Sequence, residues 1–197
     1  FRDRVEVVAM DAFSGWKQAA ARMLAHAVEV IDPFHVVHLA AGRLTMVRCR
    51  LQREATGRRG VKGERLYECR RALLKTAPLR TPRQRERIDA LLADPVNDAL
   101  RLAHGAYQRI IACYRHKDPR LGRRMMGALI DALAEPAATR RCPELRSLGR
   151  TLKRRRADIL AYFTHQHSSN GPTEAINGRL ETLRGIAMGF DNFEHYR

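Results

Sequence analysis

The chain has 197 residues, 45% of them hydrophobic, which suits one domain, or one and a half, with a sizeable buried core. It carries 37 Lys and Arg against 21 Asp and Glu, a formal net charge of +16 and a pI near 10.9, so the expected partner is polyanionic, DNA or RNA. No apolar run reaches membrane-spanning length, no signal peptide is visible, and Cys49, Cys69, Cys113 and Cys142 lack zinc-knuckle spacing; this argues against a membrane protein and a zinc knuckle, and scattered thiols fit a reducing cytoplasm.

In chain order, Arg4 to Met10 is a β-branched run ending at Asp11 and predicts a buried strand. Ser14 is placed to cap a helix from Gly15 to about His26 that carries Trp16 and Leu24. Ala27 to Ile31 predicts a second strand, ending at Asp32-Pro33. Strand, helix and strand with tight connections make a βαβ unit, which requires parallel strands. The next helix starts near Phe34 and turns Val36, Val37, Leu39 and Leu44 inward.

Beyond residue 50 the strand signals stop. Residues 41–90 hold fifteen Lys or Arg and five Asp or Glu, so most of the excess charge is concentrated there. Thr56 to Gly63 reads as a mobile, basic, Gly-rich loop. Helical patterns follow at 64–75, 82–93, 96–116, 121–134 and 144–163, and a last helix at 172–186. Arg58, Arg59, Lys62, Arg70 and Arg71, with the run Lys153-Arg154-Arg155-Arg156, are candidates to bind phosphates without reading sequence. A solvated helix face, or codon bias in a GC-rich genome, also accounts for such runs.

Three acids sit at element ends. Asp11 follows the first strand and Asp32 the second, and the carboxyl ends of parallel strands line sites in open sheets. His35 lies one turn beyond Asp32. Glu174 opens the last helix after Ser168-Ser169-Asn170-Gly171-Pro172, with Asn177 one turn later on the same face. Carboxylates converging this way suit Mg²⁺, and two such ions serve phosphodiester chemistry. Each acid also has a purely structural reading: Asp11 in a turn, Asp32 as a cap before Pro33, and Glu174 favoured by the helix dipole. His35 also fits a satisfied, partly buried histidine, and Asn177 a surface amide.

Taken together the motifs resemble the C-terminal part of a DDE transposase of bacterial insertion sequences, of the ISL-three type. The carrying residues are Val7-Val8-Ala9-Met10-Asp11 with Trp16-Lys17-Gln18-Ala19, then Val30-Ile31-Asp32-Pro33-Phe34-His35, then Ser169-Asn170-Gly171-Pro172-Thr173-Glu174-Ala175-Ile176-Asn177, then Gly185-Ile186-Ala187-Met188-Gly189-Phe190. The resemblance implies an α/β, mostly helical chain. Its core would be a partial RNase H-like fold at 1–48, interrupted by an Arg-rich helical insertion at 49–165 and completed by the acidic helix at 166–197.

It further implies metal-dependent DNA cleavage and strand transfer. Asp11 matches the family's second Asp and Glu174 its Glu, both as metal ligands for Mg²⁺ or Mn²⁺ in a two-metal site. Asp32 and His35 match a supporting acid-x-x-His motif, although Asp32 as the second Asp stays open, and Asn177 supports Glu174. The partners implied are transposon ends and target DNA, bound by a homo-oligomer in the bacterial cytoplasm and associated with the nucleoid. The family's first Asp would lie on a strand preceding Phe1, so the chain is expected to be a fragment with an incomplete metal site. The alternatives are a non-catalytic helical nucleic-acid-binding protein whose acids are caps, and an inactive transposase remnant.

Overall fold

The computed structural model describes residues 2–186 and Glu194. Two short strands, β1 (Val7–Met10) and β2 (Val28–Ile31), flank helix α1 (Ser14–Met23) and pair in parallel, with Met10 opposite Ile31. The βαβ unit is therefore present. A 3₁₀ turn at Arg2–Arg4 takes the place of the expected first strand residue, and α1 stops three residues early. Phe13, not Ser14, is the N-cap of α1, and its side chain makes no capping bond. Trp16 on α1 is exposed.

Helix α2 (Pro33–Thr56) starts where Pro fits best, at the first helical position, and ends where Gly57 takes φ +71°, a conformation that costs glycine little. It crosses residue 48 without a break. Its buried stripe, Val36, Ala40, Leu44, Val47 and Leu51, repeats at three and four residues and packs against α6 (Asp98–Tyr114) and α8 (Pro143–Arg154). Helix α7 (Pro119–Ala134) packs on α6 and α8. One continuous core runs from Ile31 through these helices to Phe163.

Two expected helices are broken. The 64–75 pattern splits at Cys69 into α3 (Arg65–Glu68) and α4 (Arg70–Leu73), and the 144–163 pattern splits at Arg155 into α8 and α9 (Arg156–Ala161). Helix α5 (Pro82–Ala93) has the expected bounds and a complete capping box between Thr81 and Gln84. The Thr56–Gly63 loop is tied down: the Glu64 carboxylate accepts from Arg58 Nη2 at 2.7 Å and from the Val61 amide at 2.9 Å. Helix α10 (Gly171–Ile186) has no buried residue. The expected motif residues Ala187 to Phe190, with Phe193 and Tyr196, lie outside the described residues.

Inside the helical region Arg80 is buried, and among the described residues it forms no ion pair with a carboxylate. Its Nη2 donates to the Lys75 carbonyl at 2.8 Å and to His104 Nε2 at 2.6 Å. Burial, and then the neighbouring Arg80 charge, push His104 down to about 4, with Asp89 opposing weakly. Folding therefore keeps a neutral imidazole whose unfolded value is about 6.5. The unfolded chain binds the extra proton, so stability falls as pH drops from about 6.5 towards 4, by about 3 kcal/mol at pH 4. Urea unfolding at pH 7.5 and pH 4 should show this loss, and His104→Gln should remove it. An unchanged pH dependence in the variant would mean that His104 titrates normally.

Candidate active site

The loop after β1 holds Asp11 in a tight turn, where its Oδ1 accepts from the Phe13 amide at 2.7 Å. Its Oδ2 makes no hydrogen bond among the described residues. Asp32 follows the register-paired Ile31, and its own amide donates to the Met10 carbonyl, so the two acids leave neighbouring strands at the same end.

Asp32 is 5% exposed and both its oxygens are occupied. Oδ1 accepts from the Phe34 amide at 2.8 Å, which is the helix cap. Oδ2 accepts from the Ser169 hydroxyl at 2.7 Å and the Asn170 amide at 2.8 Å. Burial alone would raise this carboxyl. The Ser169 hydroxyl, the two backbone amides and the nearby His35 outweigh it and hold Asp32 below the ordinary carboxylate range.

This carboxylate ties the start of α10 to the end of the parallel strands. The chain enters the connection with His167 at φ +74°. Ser169 Oγ also accepts from the Gly171 amide at 3.0 Å, which orders the turn into the helix. One turn into α2, His35 Nε2 donates to Glu174 Oε1 at 3.0 Å. An acceptor-only carboxylate requires the proton on that nitrogen. Phe34 sets its ring edge-on to His35, with centroids 5.4 Å apart. Asn170 Nδ2 reaches the same Glu174 oxygen at 3.4 Å, and Glu174 Oε2 has no hydrogen-bond partner among the described residues.

Asn177 forms no hydrogen bond with Glu174 among the described residues. It lines a cavity of about 590 Å³ together with Asp11, Trp16, Asn170 and Thr173. The last helix thus presents Glu174 towards His35 and Asn177 towards the Asp11 cavity. A slightly larger cavity, about 670 Å³, lies within the helical region, where Lys62, Arg65 and Arg87 are offset by Glu68 and Glu86. It contains none of the three acids. Among the described residues no three His, Cys, Asp or Glu side chains gather as a metal centre.

The basic candidates separate by environment. Arg59, Lys62 and Arg71 are exposed, Arg58 pairs with Glu64, and Arg70 lies 3.8 Å over the Tyr67 ring. Lys153 and Arg156 share Asp131 of α7, at 2.6 and 3.3 Å, and Arg154 is exposed. Arg155 differs from its neighbours: its side chain is 6% exposed and bonded to Asp158, so in this conformation it does not reach a phosphate backbone.

Sequence reasoning quoted Ser169 and Asn170 without assigning them a role, and their bonds to Asp32 span more than 130 residues. Lys17 was likewise quoted without a role, and its Nζ bridges Glu29 and Asp158.

No helix among the described residues is long and apolar enough to cross a membrane. No curated protein and no solved structure matches the chain significantly. A family model described as a transposase, of the DDE type and ISL-three group, matches residues 1–197. The match covers every element from β1 to α10, and the chain belongs to this family of DDE transposases.

Proposed function

We propose that this chain is the C-terminal part of an RNase H-like catalytic domain that cleaves and transfers DNA strands during transposition. One observation carries the reading. Asp32 and His35, at the carboxyl end of the parallel strands, bind the first turn of α10 and bring Glu174 to the end where Asp11 leaves β1. Membership of the family implies DNA as partner and divalent metal as cofactor.

The donor chemistry fits Mg²⁺ or Mn²⁺ in kind. Asp11 Oδ2 and Glu174 Oε2 are hard oxygens with no hydrogen-bond partner among the described residues. Asp32 does not fit as a ligand, because three donors occupy its two oxygens. Asp11 is thus the second Asp of the triad, and Asp32 and His35 are supporting residues. A bound pair of ions would supply an activated oxygen nucleophile and stabilise the leaving oxygen. His35 orients the Glu174 carboxylate. Asn177 lines the wall beside Asp11, and the exposed Arg58, Arg59, Lys62 and Arg71, with the half-buried Arg70 and with Lys153, Arg154 and Arg156, hold the DNA backbone. Two transposon ends call for a homo-oligomer, working at the nucleoid.

In the full-length transposase, Glu174→Gln and Asp11→Asn should each lower strand cleavage by about 10²–10³-fold. Binding to transposon-end DNA should persist. A Glu174→Gln protein that cleaves like the wild type would refute the catalytic reading. It would favour a non-catalytic DNA-binding protein, which has in its support the absence of a three-ligand metal cluster among the described residues.

A further inference from the structure

Arg155 is the one member of its basic run that faces inward. It sits at the break between α8 and α9, with its side chain 6% exposed. Its guanidinium makes three contacts. Nε donates to Asp158 Oδ2 at 2.7 Å, Nη1 to the Ala12 carbonyl at 3.5 Å, and Nη2 to Met10 Sδ at 3.7 Å. The last two contacts bracket Asp11 in sequence. Met10 itself is 4% exposed, so the fork reaches the packed base of the loop.

The partner of Arg155 is fixed in turn. Asp158 is 4% exposed, and both its oxygens accept from Lys17 Nζ, at 2.8 and 2.6 Å. Lys17 lies on α1, just beyond the Asp11 loop, and also pairs with Glu29 of β2 at 2.8 Å. Two cations and two anions therefore balance in one network. It ties α9 to β2 and to both ends of the loop between β1 and α1. Buried charges are tolerated only where they are paired and hydrogen-bonded, so this arrangement is tightly specified. A guanidinium is needed because its planar fork serves three acceptors at once, while a lysine ammonium would reach Asp158 alone.

We propose that Arg155 is a positioning residue: from the end of the helical insertion it clamps the loop that presents Asp11. It acts on the loop backbone and on Met10, without contact to the Asp11 carboxylate. Lys153 and Arg154, two and one residues before it, are exposed, so the surface offered to DNA and the clamp on the loop belong to one short segment. The consequence for chemistry rests on Asp11 being a metal ligand, as proposed above; the clamp itself does not.

The Phe13 amide reports on the clamp directly, because it donates to Asp11 Oδ1. Hydrogen exchange of the 11–16 segment is measured on the 197-residue chain, without metal, for the wild type, Arg155→Lys and the charge-neutral pair Arg155→Gln/Asp158→Asn. In the Lys variant, exchange of this segment should rise at least tenfold while segments of α6 and α7 keep wild-type protection. The neutral pair keeps Lys17 bonded to Glu29 and should show the same local rise; it serves if the Lys variant loses global protection. Wild-type exchange at 11–16 in a folded variant overturns the proposal. So does a rise of equal size in α6 and α7 in both variants, which would mark Arg155 as a general stabiliser.

A second measurement follows Mn²⁺ binding to the full-length transposase by electron paramagnetic resonance. Arg155→Lys should weaken binding severalfold at unchanged DNA affinity. An equal loss of DNA affinity would make Arg155 a phosphate contact and overturn the positioning role. If Asp11→Asn binds Mn²⁺ like the wild type while the exchange result stands, the clamp survives and the ligand assignment of Asp11 fails.

Discussion

Gly149→Ala is expected to destabilise the chain by about 3 kcal/mol or more, the upper end of what overpacking costs. A Cβ at Gly149 would lie 2.0 Å from the Leu133 carbonyl oxygen, 2.5 Å from its carbonyl carbon and 3.1 Å from the Ala134 amide nitrogen. All three atoms are backbone, so no rotamer change relieves the contact. Helix α8 would have to back away from the end of α7, opening the layer that contains Leu133, Leu145, Leu148 and Leu152. Alanine is otherwise the better helix former by about 1 kcal/mol, so the clash alone sets the sign. For a chain of this size the loss corresponds to a fall in Tm of about 10 °C. Gly42 in α2 and Gly105 in α6 have no atom within 4 Å of the same added carbon, and alanine there should stabilise slightly. Thermal unfolding of the three variants is the check: a Gly149→Ala protein that melts with the wild type would mean that α7 and α8 do not approach this closely.

That close approach was not visible in the sequence, and its reason is general. Gly149 and Leu133 are far apart along the chain, and a glycine inside a helical pattern reads only as a weak spot. Local signals fared better. The Asp32-Pro33 start of α2, the Pro82 start of α5 and the parallel pairing around α1 follow from capping and connection rules that act over a few residues. Arg155 lies between the two cases. Leu148, Leu152, Arg155 and Ile159 recur at intervals of four, three and four, so Arg155 occupies a position in the buried stripe. Asp158 three residues on supplies its countercharge. Reading the four basic residues as one surface patch ignored that period. The contacts of Asp32 with Ser169 and Asn170 had no local signal, because a cap residue already explained by Phe34 gives no hint of a second set of donors.

Those contacts lead to the second large effect. Asp32→Asn should release α10 from the core while leaving the core folded. Helix α10 buries no residue, and Ile176, Leu183 and Ile186 are more than half exposed, so packing contributes little to holding it in place. Among the described residues, the hydrogen bonds that attach it are those of Asp32 to Ser169 and Asn170 and the His35–Glu174 contact. An asparagine can still cap α2 by accepting from the Phe34 amide. Its NH₂ group, however, cannot accept from the Ser169 hydroxyl and the Asn170 amide, and two donors lose a charged acceptor. Bonds to charged groups contribute about 1.5–3 kcal/mol each, so the docked state should lose about 3 kcal/mol, more than a hundredfold in the local opening equilibrium. Limited proteolysis between residues 164 and 172 should accelerate accordingly, while the urea midpoint of the helical core changes little. Asp32→Ala should show the same release plus the loss of the α2 cap, about 1 kcal/mol. The direction of the Asp32 shift adds a pH signature. A carboxyl held below its ordinary range contributes stability above the unfolded value, near 4, and loses it only as pH falls through the lower folded value. The wild-type connection should therefore stay protected at pH 5 and lose that protection progressively as pH falls below 4 towards the folded value, whereas the Asn variant should be open throughout. Equal proteolysis of wild type and Asp32→Asn would show that something other than this carboxylate carries Glu174 to the strand ends. Asp32 would then have neither a catalytic nor a tethering role.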